Sequence, residues 1–146
     1  MTYTLVKSSN KDIDKLMEYK KNTIYEYAKD LSNREKKRID NYIKNEVPKS
    51  IKDYYNIVID NKIIGCVLLE DKDDGKILDE LYLEEEYRNK GIGSDIIKNI
   101  QKNNSILYLW VYKDNKKAIS LYKRLMFNII LETETRYYMK YKKEGK

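Results

Sequence analysis

Apolar positions recur along this chain first with helical spacing and then with strand spacing. Residues 3–7 read as a short strand. From Asn10 to Leu31, the residues Ile13, Leu16, Met17, Ile24, Ala28 and Leu31 fall on one helical face, with Asn10 at the N-cap. A second helix begins at Ser32, where Ser32-Asn33-Arg34-Glu35 has the capping-box pattern. Ile39, Tyr42, Ile43 and Val47 continue its apolar face until Pro48, the sole proline, which is expected to end it.

Beyond Pro48 the period changes. Residues 54–60 and 63–69 are β-branched and aromatic runs separated by Asn61-Lys62, a pattern that predicts two strands joined by a tight hairpin. Asp71 to Gly75 reads as a turn. Lys76 to Glu84 then alternates, with Leu78, Glu80 and Tyr82 on one face and Ile77, Asp79, Leu81 and Leu83 on the other. A helix is predicted from the glycines at 91 and 93 to about Asn103, burying Ile92, Ile96, Ile97 and Ile100. Ile106 to Tyr112 is an almost continuous apolar strand, as expected for one covered on both faces. A helix from about Asp114 to Leu125 and a closing hairpin of strands at 127–132 and 135–142 complete an α+β pattern, expected as one domain over residues 1–146.

Composition narrows the chemistry. The longest apolar runs are far shorter than the roughly 20 residues that span a bilayer, and the start lacks a basic segment followed by an apolar one, so a cytoplasmic protein without a membrane partner is expected. Histidine is absent and Cys66 is the only cysteine. Imidazole-based nucleophile schemes, an intrachain disulfide and a multi-thiolate zinc site are thereby excluded, and no metal is expected. Acid–base work falls to Tyr, Glu, Asp, Lys or water. The net charge of +6 suits an anionic partner, but the lysines are interleaved with 24 acids. A nucleic-acid-binding module is disfavoured because only five arginines are present and none cluster with aromatics in a recognised motif.

Arg88-Asn89-Lys90-Gly91-Ile92-Gly93-Ser94 sits between a predicted strand and a predicted helix. Glycines there let successive backbone N–H groups point inward, and the helix adds its positive end, which together suit a phosphate. The mononucleotide motif is absent, and the dinucleotide fingerprint lacks its third glycine because Ile96 occupies that place. Further on, Asn115, Ala118 and Tyr122 are spaced i, i+3 and i+7, which puts them on one helical face with a small residue between an amide and a phenol.

Arg88, Gly91 and Gly93 match Q/R-x-x-G-x-G/A, and Asn115, Ala118, Leu121, Tyr122 and Phe127 match N-x-x-A-x-x-L-Y-x-x-x-G-F at all marked positions but one. With both motifs in this order, the chain from about residue 55 resembles the GNAT superfamily of acyl-CoA-dependent N-acyltransferases. The resemblance implies a three-layer fold around a mixed, mostly antiparallel sheet of six to seven strands, with helices on both faces and a bulged, splayed strand pair at the cofactor site. It implies acetyl-CoA as acyl donor, its pyrophosphate held by main-chain N–H groups across Arg88 to Ser94, its pantetheine paired to Leu81, Tyr82 and Leu83, and Asn115 and Ala118 beside it. Tyr122 is then the general acid for the departing thiolate, a backbone N–H near Leu83 polarises the acyl oxygen, and an amine attacks directly.

Glu80 is the leading candidate base, on the expectation that it faces the acceptor groove, with a water relay as the alternative. Cys66, in an apolar strand, reads as an inert buried thiol. Glu18, Glu26, Asp30, Glu35 and Asp40 on the two early helices point toward cationic amines as acceptors. A monomer or homodimer is expected, and a domain that binds acyl-CoA without catalysing transfer is the competing reading. One departure from the motif stands out: Met126 holds the place of the glycine whose left-handed backbone ends the helix, so this terminus must close differently or at a cost of roughly 1 kcal/mol.

Overall fold

The structure, a computed structural model, describes residues 2–144. Its elements are β1 (Thr4–Lys7), α1 (Ile13–Tyr27), α2 (Asn33–Ser50), β2 (Tyr54–Ile59), β3 (Lys62–Lys72), β4 (Gly75–Leu83), α3 (Ile92–Asn103), β5 (Ile106–Tyr112), α4 (Lys116–Arg124), β6 (Phe127–Glu132) and β7 (Arg136–Lys142). The seven strands form a mixed sheet in the order β1-β2-β3-β4-β5-β7-β6. Pairing is antiparallel at β1/β2, β2/β3, β5/β7 and β6/β7, and parallel at β4/β5, where Lys76 faces Leu107 and Ile77 faces Tyr108. None of the helices among the described residues is long and apolar enough to cross a membrane.

Two compact units divide the chain, with β3 and β4 contributing to both. The first comprises the residues up to Leu68 together with Glu80–Glu86. Leu16, Tyr19, Ile43, Val47, Tyr54, Cys66 and Leu68 form its buried cluster, so the apolar stripes of α1 and α2 meet β2 and β3 there. Gly65 is required by close approach, since a methyl group at that position would lie 2.0 Å from the Tyr82 carbonyl oxygen. The second unit comprises Leu69–Asp79 and the chain from Tyr87 onward. Its core is the predicted stripe of α3 (Ile92, Ile96, Ile97, Ile100) with Leu107, Leu109, Val111, Ile119, Phe127 and Met139.

Several boundaries differ from the sequence expectation, each for a local reason. Asn10 is exposed and is not the cap of α1; a single 3₁₀ turn precedes the helix, and Asp12 accepts a hydrogen bond from the Ser9 N–H at 2.9 Å while receiving another from Asn56. The helix stops at Tyr27, because Ala28 is extended and Asp30 is left-handed, which frees four residues to reverse the chain before Ser32. The Ser32/Glu35 capping box forms as predicted, with reciprocal bonds of 3.1 and 3.0 Å. Pro48 does not end α2. It lies in the last turn, where its missing N–H removes one bond, and the helix runs on to Ser50.

The β2–β3 hairpin turns on Asp60-Asn61 rather than Asn61-Lys62: both have positive φ, the type I′ geometry that Asp and Asn tolerate. Register shifts occur between Ile57 and Val58 in the β2–β3 ladder and between Ile129 and Leu131 on β6. The predicted edges of β5 and β6 are borne out.

Met126 adopts the left-handed backbone that the motif reserves for glycine, with φ of 73°. The helix therefore closes in the usual way: Leu125 N–H donates to the Leu121 carbonyl and Met126 N–H to that of Lys123. A side chain held there is strained, and Met126 is largely exposed, so its packing returns little. Met126→Gly is accordingly expected to raise stability by about 0.5–1 kcal/mol, a shift of roughly 1–4 °C in melting temperature after the added unfolded-state freedom is subtracted. Calorimetry on the purified variant checks this.

In the first unit, Lys20 Nζ lies 3.5 Å from Glu80 Oε1, and both side chains are almost fully buried. Removing one partner leaves an uncompensated buried charge. Lys20→Met should cost about 3 kcal/mol, the lower end of the range for such breaks because Tyr54 still donates to Glu80. The double variant Lys20→Met/Glu80→Leu should recover most of that loss, as read from urea unfolding midpoints.

Candidate active site

The strand-to-helix loop of the second unit is shaped as the sequence required. Asn89 has φ of 62° and Gly91 φ of 85°, so left-handed residues flank Lys90, and alternation of this kind is what builds anion-binding nests of backbone amides. Gly91 is the N-cap of α3, and a methyl group built there meets nothing within 4 Å, so backbone sign rather than crowding demands glycine. The first intrahelical bond is Asp95 N–H to the Gly91 carbonyl. The amides of Ile92, Gly93 and Ser94 precede it and have no partner within the helix. Arg88 is half-buried, whereas Asn89 and Lys90 are exposed. An anion such as a pyrophosphate fits this cradle on geometry and on the helix dipole.

In the same unit, α4 begins at Asn115, whose Oδ1 accepts from the Ala118 N–H at 3.2 Å. Asn115 is thus a helix cap as well as a motif residue. Ala118 and Tyr122 are half-buried on this short helix. The Tyr122 ring lies 5.8 Å from that of Phe127. Burial alone pushes its phenol up to about 12, so Tyr122 Oη keeps its proton throughout the neutral and mildly alkaline range.

In the first unit, Leu81, Tyr82 and Leu83 are half-buried on the last turns of the β4 pleat. Glu80 does not face an open groove. The alternation of β4 turns it inward, where Oε1 accepts from Tyr54 Oη at 2.7 Å and pairs with Lys20, and Oε2 accepts from Cys66 Sγ at 3.4 Å. Cys66 is fully buried, and burial, reinforced by Glu80, pushes its thiol up, the opposite of what a reactive thiolate needs. Lys20 and Tyr54 escaped the sequence reading, although a signal was present: Lys20 falls four residues after Leu16 on the buried stripe of α1, where a charge needs a partner. Nearby, Tyr19 Oη donates to Glu84 at 2.5 Å and its ring stacks on Tyr82 at 4.6 Å. Burial first, and then the Glu84 bond, push the Tyr19 phenol well up.

The acids of α1 and α2 do not build an enclosed anionic wall. Glu18, Glu26, Asp30, Glu35 and Asp40 are all exposed; Glu35 serves the capping box, and Asp40 accepts from Tyr25 Oη at 3.1 Å.

The chain is similar to the thialysine N-epsilon-acetyltransferases of Sus scrofa and Bos taurus, with 42% identity over 62 residues in each case. The match covers 39% of this chain and 36% of those relatives, so the chain spans about a third of the curated proteins it matches. In fold it is similar to the PaiA N-acetyltransferase of Thermoplasma acidophilum, solved in complex with coenzyme A, with a TM-score of 0.72 and 23% identity over 97% of this chain and 99% of that one. Ard1 from Thermoplasma volcanium gives a TM-score of 0.71 at 16% identity, covering 99% of this chain and all of that one. The family model described as "Acetyltransferase (GNAT) domain" matches residues 51–129, more than half of the sequence, and the protein therefore belongs to the GNAT acetyltransferase family.

Proposed function

We propose that this single domain transfers the acetyl group of acetyl-CoA to a primary amine of a small molecule or of a peptide or protein. The observation that carries the reading is Tyr122, a protonated phenol half-buried on the motif helix α4 of a GNAT chain. Coenzyme A bound to PaiA and the thialysine activity of the curated relatives support the donor and the acceptor class respectively.

Acetyl-CoA supplies an acetyl group already activated as a thioester. In this reading the amides of Ile92, Gly93 and Ser94, with Arg88, Asn89, Lys90 and Gly91, hold the pyrophosphate. Leu81, Tyr82 and Leu83 offer backbone groups to the pantetheine arm, and Asn115 and Ala118 flank it. A backbone N–H near Leu83 polarises the acyl oxygen. As the new C–N bond forms and the C–S bond breaks, Tyr122 Oη gives its proton to the sulfur. Glu80 accepts the amine proton by way of water, because its own oxygens are held by Tyr54, Lys20 and Cys66. No covalent enzyme intermediate is needed.

Acetyl-CoA should raise the unfolding temperature, since a ligand selective for the folded state adds about 2.7 kcal/mol at a hundredfold excess over Kd. Gly93→Val should remove that shift while the fold survives, because a branched side chain occupies the approach to the loop amides. An unchanged shift in folded Gly93→Val places the phosphates elsewhere.

Tyr122→Phe keeps the ring and removes the proton. Acetyl transfer, followed by release of the CoA thiol, should fall by roughly 10² to 10⁴ with cofactor affinity retained. Because Tyr122 titrates only near 12, the parent's rate should show no alkaline loss from this group below about pH 11. Full activity in Tyr122→Phe, or tight acetyl-CoA binding with no transfer to any amine by the parent, would favour the competing acyl-CoA-binding reading or a water-protonated thiolate.

A further inference from the structure

One face of the second unit carries a cation that has no carboxylate partner among the described residues. Side chains directly opposite in an antiparallel ladder share a face, so the pairs Trp110↔Tyr138 and Tyr112↔Arg136 lie on one side of β5 and β7, while Leu109↔Met139 lies on the buried side. On the first side, the Arg136 guanidinium carbon lies over Trp110, 4.7 Å from the ring centroid, and the Trp110 and Tyr138 rings meet at 4.6 Å. Arg136 is half-buried and has no carboxylate partner among the described residues. The acids within reach along the same hairpin do not serve it: Glu132 pairs with Lys113, and Glu134 is exposed on the link.

Its backbone is nevertheless firmly placed. The Arg136 N–H donates to Thr133 Oγ1 at 3.0 Å, and the Arg136 carbonyl accepts from the Thr133 N–H at 2.8 Å. A guanidinium over a ring keeps N–H donors that the ring does not use, and such a fork grips a carboxylate with two parallel bonds. A second polar group on this face, Tyr138 Oη, is buried with no hydrogen-bond partner. The site also has a definite position: Arg136 stands opposite Tyr112 at the carboxyl end of β5, three residues before Asn115 caps α4, and the Lys113 N–H ties to the Thr135 carbonyl at 2.9 Å. Ligands of open sheets with parallel strands gather at such carboxyl ends.

We propose that Arg136, held on Trp110, receives a carboxylate of the acceptor, so that the amine acetylated belongs to an amino acid or a peptide-like molecule rather than to a simple polyamine. This rests on the amine-acetylation reading above and adds a specificity-determining residue to it. It also redirects the expectation drawn from the acids of α1 and α2, which are exposed and build no enclosure for a second cation.

Trp110 is the only tryptophan, so its fluorescence reports the site directly. The twenty common amino acids are titrated into the full chain in the presence of CoA, each beside its carboxamide, which keeps size and amine but removes the negative charge. At least one amino acid should bind ten- to a hundredfold more tightly than its amide, the range for a charge-assisted pair of hydrogen bonds. Arg136→Met should erase that preference and Arg136→Lys restore part of it, with CoA affinity by calorimetry retained in both. Equal binding of acids and amides, a preference that survives in Arg136→Met, or a tenfold loss of CoA affinity in that variant overturns the proposal; the last would make the fork a cofactor phosphate site. Thiol release from acetyl-CoA, followed in parallel, separates the two readings. Transfer to amides as fast as to acids sinks the carboxylate site and leaves the enzyme reading, whereas acid-selective binding without any transfer does the reverse.

Discussion

A carboxylate in the middle of an apolar strand has to be neutralised where it sits, and the first unit is arranged around that requirement. Strand β4 alternates, so the register that buries Leu78 also turns Glu80 inward. Little of the side chain is exposed there, and the charge is met by Lys20 from α1, by the phenol of Tyr54 on β2 and by the thiol of Cys66 on β3. Four elements are thereby held in one mutual placement by directional bonds that Leu or Ile in the same positions would not supply. The price is a Lys side chain immobilised in the core, a residue type almost never found there without a partner.

The second unit follows a different logic, in which backbone conformation rather than side-chain pairing sets the chemistry. Left-handed residues at Asn89 and Gly91 aim the loop amides and start α3, and the left-handed Met126 ends α4 and launches β6. At Gly91 the conformation comes without strain. At Met126 the same conformation is kept with a side chain in place, so the hydrogen bonds that close the helix outweigh the local steric cost. Between these two backbone devices lies Tyr122, whose phenol burial alone pushes up.

The two faces of β5 divide their labour in a comparable way. Leu107, Leu109 and Val111 feed the core of this unit, while Trp110 and Tyr112 line a face on which cations stand over rings: Arg136 over Trp110 and Lys140 over Tyr108. Such stacking lets a charge sit partly out of water without a carboxylate beside it. Lys140 also faces Asp74, whose carboxyl is held below its usual range chiefly by the hydrogen bond from Tyr108 Oη. Arg136 has no such counterpart among the described residues.

Much of this architecture was written in local patterns. The stripe of α3, the limits of β5 and β6, the Ser32 capping box and the glycine loop all depend on residues close together in the chain, where period, cap chemistry and the sign of φ act directly. Local rules misjudged the ends of α1 and α2 and the centre of the β2–β3 hairpin, since a cap at Asp12 depends on Asn56, and a proline in a last turn costs only one bond. For the site, sequence alone determined the family motifs and named Gly91, Asn115 and Tyr122. Whether Glu80 lay open or enclosed was decided only by folding, because its partners Lys20, Tyr54 and Cys66 are 60, 26 and 14 residues away, and a strand's alternation says which residues share a face but not what covers it. The unpaired Arg136 was invisible for the same reason: a charge without a partner is recognised only once every neighbour is in place.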